Sequence, residues 1–358
     1  MKKLLFAAHS LGLGGIETAL ITLLEELVKK EYDITLVLEK KEGIFLDTLN
    51  SKIKVIEYSP SNNKIIPIRK LINLCKQLKF KKKYKNKFDF AAAYATYSLS
   101  NGFVARTASE NSALWVHIDY LTQHNNDEEK TKKYYKELKC EEFKQIVFVS
   151  KESRDNFLKL FPHCKEKAIY CNNLIAGKKI IEKSEEDLVE KQEGVVTFLN
   201  VGRHDERQKK LSRLISAAER LKNDGLQFRI LFVGEGQDTN LYKEMVESKK
   251  LENTITFLGK KKNPYPYYKI SDCVILTSDY EGYPVVFLES MILKRPLITT
   301  NVSDYEQIEG KYGIVTTKEI NNIYEAMKSF IRNGFELKEE FDYQKYNEEI
   351  LQNLENIF

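Results

Sequence analysis

The sequence lacks the features that would mark a membrane-spanning or a disulfide-bonded protein. No window approaches the roughly 20 apolar residues that a membrane span requires. The five cysteines are odd in number, widely spaced and never arranged as C-x-x-C, which argues against a disulfide framework and against a zinc site. The apolar start of the chain stops at His9 and Ser10, so residues 1–8 predict a first β-strand and not a secretion signal. We therefore expect a cytoplasmic protein with reduced thiols.

What the chain does contain is enough apolar material for two folded domains, since 42% of its 358 residues are hydrophobic. Residues 4–8, 16–29 and 33–38 have the patterns of a strand, an amphipathic helix and a strand, and such β-α-β units have parallel strands. A second series of the same kind begins at residues 195–201. Two series predict an α/β protein with two Rossmann-like domains. Further strands are predicted at residues 55–57, 90–94, 113–118, 145–149, 228–234, 255–259, 273–277, 296–300 and 313–315.

One stretch near the three-quarter point of the chain predicts an anion site. The strand-like residues 273–277 lead through a turn into a helix whose first position suits Pro284, because the missing N–H of proline costs nothing there. The free amides of Val285 and Val286 then point back toward the turn. Unpaired N–H groups and the helix macrodipole both favour negative charge, so a phosphate is the expected ligand.

The same predicted helix contains a carboxylate, Glu289, although its other residues are apolar nearly all round. A buried carboxylate needs hydrogen-bond donors. Two interpretations stay open from the residues alone: a ribose diol supplies the donors, or a structural partner such as a backbone amide or an Arg does. Glu281 precedes Gly282 in a loop, where a carboxylate is usually solvated.

The two carboxylates together have the spacing E-x7-E. With Glu-Gly-Tyr-Pro and the following helix, this pattern resembles the donor-site motif of retaining glycosyltransferases of family 4, within the glycosyl transferases group 1. The resemblance implies a GT-B fold, with two Rossmann-like domains facing across a cleft. It also implies that Glu281 contacts the transferred sugar near its reacting end and that Glu289 holds the ribose. The residues it places at the rest of the donor site are Tyr283, Pro284, Val285 and Val286.

Glycines near the start of the chain favour the same family over a dinucleotide enzyme. The dinucleotide fingerprint is G-x-G-x-x-G, whereas here Gly12 and Gly14 are followed by Glu17. Glycines let a backbone come close to a ligand. Gly14-Gly15-x-Glu17 is similar to the family's N-terminal glycine loop, which implies that Gly14 and Gly15 bind the donor over its diphosphate.

A basic pair in the second half also matches the family. Arg203 and Lys209 resemble the cations that embrace the donor's pyrophosphate, where fixed positive charge stabilises a leaving nucleotide without reorganising. The spacing departs from the family pattern, because one residue is inserted and Lys210 stands in place of a glycine. We prefer Lys209 to Lys210 as the second cation. The sequence contains no D-x-D pattern, so we expect no metal and no other cofactor.

His117 ends a predicted strand, and ligands of open α/β sheets bind beyond the carboxyl ends of strands. A histidine there is commonly a core or capping residue, but this one is also similar to the family's active-site histidine that contacts the sugar donor. The segment with Leu258 and Gly259 resembles the loop that stacks on the uracil, although a plain strand and turn would have the same pattern. Residues 265–268 are interpreted as packing residues.

Residues 64–87 contain many basic side chains and no acid, with apolar residues interleaved at helical spacing. This basic amphipathic helix has two main interpretations. It is an ordinary surface helix with a solvated basic face, or it rests on anionic lipid headgroups at the inner face of a membrane. Nucleic acid is a weak third alternative because no binding module accompanies the helix.

The resulting hypothesis is a retaining glycosyltransferase that moves a sugar from a nucleotide diphosphate, UDP in the first instance, to a glycan or lipid-linked acceptor in cell-surface polysaccharide or glycoconjugate synthesis. Its catalytic residues would be His117, Arg203, Lys209 and Glu281. The alternatives are a nucleotide-sugar epimerase, an NAD-dependent enzyme or a non-catalytic nucleotide-sugar binding protein. We expect an N-terminal acceptor-side domain at 1–175, a linker at 176–194, a donor domain at 195–335 and a final helical segment at 336–358 that crosses back to the first domain, as the resemblance implies.

Overall fold

The computed structural model describes residues 1–12, 14–94, 98–186 and 189–358. The chain forms two compact units, of which unit 1 comprises Met1–Ile175 and Tyr346–Phe358, and unit 2 comprises Ala176–Lys345. Leu13 of the predicted glycine loop and residues 187–188 of the expected linker lie outside the described residues. All five cysteines are free thiols.

Unit 1 is built on a seven-stranded parallel sheet in the order β3-β2-β1-β4-β5-β6-β7. Its strands are β1 (Lys3–Ala8), β2 (Asp33–Leu38), β3 (Lys54–Glu57), β4 (Phe90–Ala93), β5 (Ser112–Val116), β6 (Gln145–Phe148) and β7 (Ala168–Tyr170). Its helices are α1 (Gly15–Lys29), α2 (Ile66–Tyr84), α3 (Leu99–Ala108), α4 (Tyr120–Gln123), α5 (Glu128–Glu137) and α6 (Lys151–Leu160).

The apolar runs of the central strands explain their place in this sheet. In β1 the residues from Leu4 onward are buried, and Leu4 lies opposite Ile34 on one side and Phe90 on the other. A strand with a neighbour on each side and helices over the sheet faces must be apolar throughout. The strand order reverses between β1 and β4, so the carboxyl edge of unit 1 carries the glycine loop after β1 and His117 after β5.

Unit 2 is built on a six-stranded parallel sheet in the order β10-β9-β8-β11-β12-β13. Its strands are β8 (Val196–Val201), β9 (Phe228–Val233), β10 (Ile255–Gly259), β11 (Cys273–Leu276), β12 (Leu297–Thr300) and β13 (Gly313–Thr316). Its helices are α7 (Gly177–Ser184), α8 (Leu211–Asn223), α9 (Thr239–Ser248), α10 (Tyr265–Ile270), α11 (Val285–Ile292) and α12 (Ile320–Asn333).

The strand order of unit 2 reverses between β8 and β11, which pair directly through Phe198 with Cys273 and Leu199 with Val274. Both strands run in the same direction, so the loops that follow them start from the same edge of the sheet. The crevice beside such a reversal is where open α/β sheets bind ligands. The segments after β8 and β11 contain Arg203 and Glu281 respectively.

Three local features differ from the sequence expectation. Strand β7 was not predicted, because three residues are too short a run to show a period. Helix α7 occupies the first half of the expected linker, where Ile180 is 2% exposed and a Cβ on Gly177 would lie 2.3 Å from the ring of Tyr343. Helix α11 begins at Val285, so Pro284 is its N-cap and not its first helical residue.

The last helix, α13 (Tyr343–Ile357), joins unit 1 from Tyr346 onward. Phe358 lies with its ring centroid 4.8 Å from that of Phe90 and 6.2 Å from that of Phe6. The side chain of Asn347 exchanges two hydrogen bonds with the backbone of Ile175, at 3.0 and 2.8 Å. Unit 1 is therefore completed by a segment distant in sequence.

We expect the change Leu354→Ala to lower the free energy of unfolding by about 2–5 kcal/mol, because it leaves a cavity where the buried Leu354 side chain of α13 packs. Leu354 is 2% exposed, whereas Leu99 of the same unit is 62% exposed. The matched control Leu99→Ala should therefore change stability by less than about 0.5 kcal/mol. Urea denaturation of both variants tests the expectation, and equal losses would show that α13 is not part of the core.

Candidate functional site

Two glycines bring the loops at the carboxyl edge of unit 2 into close contact. A Cβ on Gly234 would lie 1.8 Å from the backbone oxygen of Gly202, and one on Gly236 would lie 2.1 Å from that of His204. Gly234 also has a φ of +145°, which side chains rarely adopt. The segment after β9 can therefore lie directly against the segment after β8, and this contact shapes the loop that leads from Arg203 to Lys209.

Glu281 is a buried carboxylate with three donors. Its Oε1 accepts from the Lys209 ammonium at 2.6 Å and from the Ser278 hydroxyl at 2.7 Å. Its Oε2 accepts from the Gln208 amide at 3.2 Å. The side chain is 7% exposed, so it is not the solvated loop residue that its position before a glycine suggests. The structure thus brings Glu281 and Lys209 together, while Ser278 and Gln208 were not found from the sequence.

The two candidate lysines have different environments. Lys209 contacts Glu281, whereas the Nζ of Lys210 lies 3.6 Å from Glu206 and 3.9 Å from Asp279. Lys210 has a φ of 50° as the N-cap of α8, in the left-handed region that glycine adopts without cost. This backbone geometry accounts for the glycine that the family pattern has at the position.

Arg203 is exposed and donates from Nη2 to the Gln208 side chain at 3.2 Å. A guanidinium has five N–H donors, so this contact leaves most of its capacity for a ligand. Arg203 does not touch Glu281 directly. It is joined to Glu281 through Gln208, which accepts from Arg203 and donates to the carboxylate.

Glu289 is held by two tyrosines. Its Oε2 accepts from the Tyr268 hydroxyl at 2.6 Å, and its Oε1 accepts from the Tyr265 hydroxyl at 3.2 Å. Burial raises the pKa of Glu289, and the two hydroxyl donors oppose that rise. Residues 265–268 therefore do more than pack, because two of them supply the structural partners of this carboxylate. The signal in the sequence was two tyrosines three residues apart, which fall on one side of a helical turn.

At the start of α11, the groups available to a ligand are backbone amides and not side chains. Phe287 donates the first amide bond of the helix to the Pro284 carbonyl at 3.0 Å, and the amides of Val285 and Val286 precede it. The first amides of a helix have no acceptor within the helix. The Tyr283 ring is buried and its hydroxyl donates to Gln307 at 3.2 Å, so that side chain is engaged within unit 2.

The segment predicted to stack on a nucleobase ends strand β10. Leu258 lies at a register shift in the pairing of β10 with β9, and Gly259 has a φ of +70°. The carbonyl of Gly259 accepts from the Gly234 amide at 3.0 Å. Bulges of this kind redirect a side chain at a sheet edge, and the side chain of Leu258 is half-buried here.

His117 lies in unit 1, directly after β5, and is 6% exposed. Burial lowers its pKa to about 3, although a hydrogen bond with the Tyr94 backbone opposes the shift. Its Nε2 has no partner among the described residues. The imidazole is therefore neutral at ordinary pH, and an unsatisfied buried nitrogen is the kind of atom that a ligand hydroxyl can satisfy.

Gly14 and Gly15 also lie in unit 1, where Gly14 is the N-cap of α1 and Gly15 its first residue. A Cβ on Gly14 would lie 2.4 Å from a carboxylate oxygen of Glu17, so glycine allows Glu17 to fold back over the helix start. No contact of either glycine with a ligand follows from this geometry alone.

The described residues contain one group of side chains with the spacing of metal ligands, namely Glu141, His163 and Cys164 of unit 1, whose ligand atoms lie within 4.8 Å of one another. None of them is a predicted site residue. Among the predicted site residues of unit 2, Lys209 pairs with Glu281, Arg203 donates to Gln208, and Glu289 accepts from two tyrosines.

Helix α2 carries an exposed apolar row. Leu71, Leu74 and Leu78 are 62%, 51% and 57% exposed, and their spacing places them on one side of the helix. Phe80 is the buried residue of α2. An ordinary surface helix buries its apolar row and exposes its charges, so α2 departs from that arrangement. Among the described residues, no helix combines the length and the apolar character needed to cross a membrane.

The known proteins that this chain resembles include several glycosyltransferases. Residues 182–348 match the family described as Glycosyl transferases group 1. A 4-alpha-N-acetylgalactosaminyltransferase of Campylobacter jejuni, whose name gives a diphospho-undecaprenol acceptor, is 26% identical over 343 residues, covering 93% of this chain and 91% of that protein. An uncharacterised glycosyltransferase of Methanocaldococcus jannaschii is 27% identical over 191 residues, which span 48% of this chain and 47%, about half, of that protein.

Among solved structures, Anabaena HepE in complex with UDP and glucose has a TM-score of 0.75 at 17% identity, covering 99% of this chain and all of that one. The likeness extends over both units and shows a shared GT-B fold. The predicted fold class, α/β with two Rossmann-like domains, is confirmed.

We expect Tyr268→Phe to destabilise the protein by an amount that grows with pH. A carboxyl whose folded pKa is raised loses stabilisation as pH rises through that pKa, and removing the Tyr268 donor raises the pKa of Glu289 further. The loss should be small at about pH 5 and reach about 1.5–3 kcal/mol at about pH 8. Urea denaturation at both pH values measures it.

In a Glu289→Gln background the same change should have no pH dependence, since the titrating group is gone. A loss that is equal at both pH values in the parent background would show that the Tyr268 hydroxyl does not act on an ionised Glu289.

Proposed function

We propose that this chain is a group 1 glycosyltransferase that transfers a sugar from a UDP-sugar donor, with retention of anomeric configuration, to a glycan or lipid-linked acceptor. The observation that carries the proposal is the convergence of cationic, carboxylate and amide groups at one edge of unit 2. Arg203 and Lys209 follow β8, and Glu281 and the α11 amides follow β11, the two strands at which the sheet order reverses. Open α/β sheets bind their ligands in the crevice beside such a reversal, which supports a nucleotide site at this edge.

The family match and the relatives support glycosyltransferase activity in polysaccharide or glycoconjugate synthesis. UDP as the nucleotide is supported by HepE, which was crystallised with UDP and glucose. Retention is supported by the name of the Campylobacter relative, which specifies an alpha linkage, because an α-linked donor gives an α product when configuration is retained.

The proposed reaction forms a bond between the acceptor oxygen and the anomeric carbon while the bond from that carbon to the diphosphate breaks on the same face. The departing phosphate oxygen takes the acceptor proton. Arg203, Lys209 and the amides of Val285 and Val286 stabilise the charge that develops on the diphosphate, as preorganised donors do most effectively. These groups make a divalent metal unnecessary in the proposal.

In the proposal, different residues contact different parts of the UDP-sugar. Glu281 contacts the sugar near its reacting carbon, Glu289 accepts from the ribose diol, and Leu258 with Gly259 borders the uracil. His117 contacts the sugar through its unsatisfied Nε2 and acts as a neutral group, because its pKa of about 3 excludes a protonated imidazole at neutral pH. The list of donor-binding backbone positions is completed by Gly14, Gly15, Tyr283 and Pro284.

We expect Glu289→Ala and Glu281→Ala to have different kinetic effects. Loss of the ribose acceptor should raise the Kd for UDP by about 10–100-fold. Loss of Glu281 should lower kcat by about 10²–10³-fold with a much smaller change in Kd for UDP, because its contact is with the reacting sugar. Isothermal titration with UDP and an assay of UDP release separate the two.

The surface variant Glu219→Ala is the matched control, since Glu219 pairs with Lys249 on the surface of unit 2. UDP release by both site variants at the parent rate would show that the site assignment is wrong. Stabilisation of the parent by NAD and not by UDP would favour the dehydrogenase or epimerase alternative.

We further propose that α2 holds the enzyme on an anionic membrane surface, where a lipid-linked acceptor would be found. Support comes from the exposed row of Leu71, Leu74 and Leu78 together with the lysines at the end of the helix, such as Lys81 and Lys82, which are also exposed. Apolar side chains can enter the acyl boundary while lysines meet anionic headgroups. A solvated basic face alone does not require the leucines to be exposed.

We expect co-sedimentation with vesicles that contain anionic lipid and little with neutral vesicles. Changing Leu71, Leu74 and Leu78 to Ser should reduce binding by about 10³-fold or more, since each leucine contributes about 1.5–3 kcal/mol when it leaves water. The control is Leu241→Ser, a 42% exposed leucine of unit 2, which should bind like the parent. Unchanged binding of the triple variant would leave only the solvated-face interpretation.

A further inference from the structure

Gln208 connects two charged residues of the proposed donor site. Its side-chain Oε1 accepts from Arg203 Nη2 at 3.2 Å, and its Nε2 donates to Glu281 Oε2 at 3.2 Å. The same Nε2 lies 3.4 Å from the Tyr280 carbonyl. The side chain is 7% exposed. Both polar atoms of the Gln208 side-chain amide are therefore hydrogen-bonded, and their partners belong to the loops that carry the proposed site.

The backbone of Gln208 is fixed as well. Its N–H donates to the Asp205 carbonyl at 3.2 Å, and its carbonyl accepts from the Asp279 amide at 2.7 Å. The second bond joins the loop after β8 to the loop after β11. Gln208 consequently has little freedom to move, and whatever its side chain holds is held rigidly.

The chemistry at this position requires an amide in one orientation. The two neighbours of Nε2 are acceptors, a carboxylate and a carbonyl, while the neighbour of Oε1 is a guanidinium that can only donate. A flipped amide would put oxygen against oxygen and N–H against N–H. Among charged side chains, a lysine would oppose Arg203 and an ionised carboxylate would oppose Glu281.

We propose that Gln208 is a positioning residue that sets the direction of the Arg203 guanidinium relative to the Glu281 carboxylate, an inference that rests on the proposed transferase function. Lys209 and Ser278 hold one oxygen of Glu281, and Gln208 holds the other. Arg203 is exposed, so without Gln208 its long side chain samples many rotamers and must be ordered when the diphosphate binds. Gln208 supplies that order before binding, which is the condition for effective electrostatic stabilisation.

The first test is Gln208→Leu, which removes donor and acceptor with little change of volume. We expect kcat/KM for the UDP-sugar to fall by about 10–100-fold, the effect of losing a hydrogen bond to a charged group. In an Arg203→Ala background the same change should lower kcat/KM by a factor several times smaller, because only the contact with Glu281 is then lost. Equal effects in both backgrounds would overturn the positioning role.

The second test is Gln208→Glu, which is nearly isosteric. The introduced carboxylate repels Glu281 at neutral pH, and a buried carboxyl beside a like charge has a raised pKa. When protonated, that carboxyl again offers an O–H donor to Glu281 and a carbonyl acceptor to Arg203. We expect the activity of this variant relative to the parent to rise at least tenfold from about pH 8 to about pH 5.5. A flat ratio over this range would overturn the proposal.

The matched control is Asn321→Leu, which removes an amide that accepts from the Arg220 guanidinium at 3.0 Å, outside the site. It should leave both kcat/KM and the pH profile at parent values. If the parent neither binds UDP nor releases it from UDP-sugars, the proposed function itself fails. If the parent is active and folded Gln208 variants match it, only the positioning role fails.

Discussion

The proposed donor site depends on the direct pairing of β11 with β8. Leu199 pairs with Val274 and Phe198 with Cys273, residues that are 75 apart in the sequence, and the two strands run in the same direction. Their carboxyl ends therefore open onto one edge of the sheet. Because one loop brings cations and the other brings Glu281 and a helix start, a single strand pairing assembles groups of opposite charge that no local segment could bring together.

Charge pairing within unit 2 decides which of its charged groups remain without an oppositely charged partner and are available to a ligand. The Lys209 ammonium is already in contact with Glu281 at 2.6 Å, so this buried pair is close to neutral. Arg203 remains exposed with a neutral amide as its partner. In the proposed function, the diphosphate would meet the guanidinium and the α11 amides without first breaking an ion pair, while Lys209 has ammonium hydrogens beyond the one that Glu281 accepts. Desolvation costs are correspondingly smaller than for two unpaired buried cations.

Most strands were predictable from the sequence because apolar runs such as Phe228–Val233 are bounded by turn residues, and their parallel arrangement follows from alternation with helices. The residues at which helices and strands begin and end were harder to predict. Pro284 fits the first helical position and the N-cap equally well by composition, and the backbone alone decides between them. Helix α7 was not predicted because few of its eight residues are buried, so its sequence shows no helical period of apolar residues.

Within the site, the sequence identified residues with formal charge better than those without. Glu281, Glu289 and Lys209 stand out by motif, whereas Gln208 is neutral and belongs to no motif, and the i, i+3 spacing of the tyrosines of α10 does not identify Glu289 as their partner. Their roles arise from contacts between loops separated by about 20 to 70 residues, such as Gln208 with Glu281. A pattern within one segment cannot contain that information, and only the folded chain brings the partners together.

The two interpretations of Glu289, a carboxylate with structural partners and a carboxylate that binds a ribose, are compatible. An ionised carboxylate has about four acceptor positions, two on each oxygen. Tyr268 takes one position on Oε2 and Tyr265 one on Oε1, which leaves one on each oxygen. A ribose presents two neighbouring hydroxyls, which is the number of donors that the remaining positions accept. The hydroxyls of Tyr268 and Tyr265 oppose the rise in the pKa of Glu289 that burial causes, and they hold the plane of the carboxylate in place. The partners that stabilise Glu289 within the fold thus leave it suited to the proposed contact with a diol.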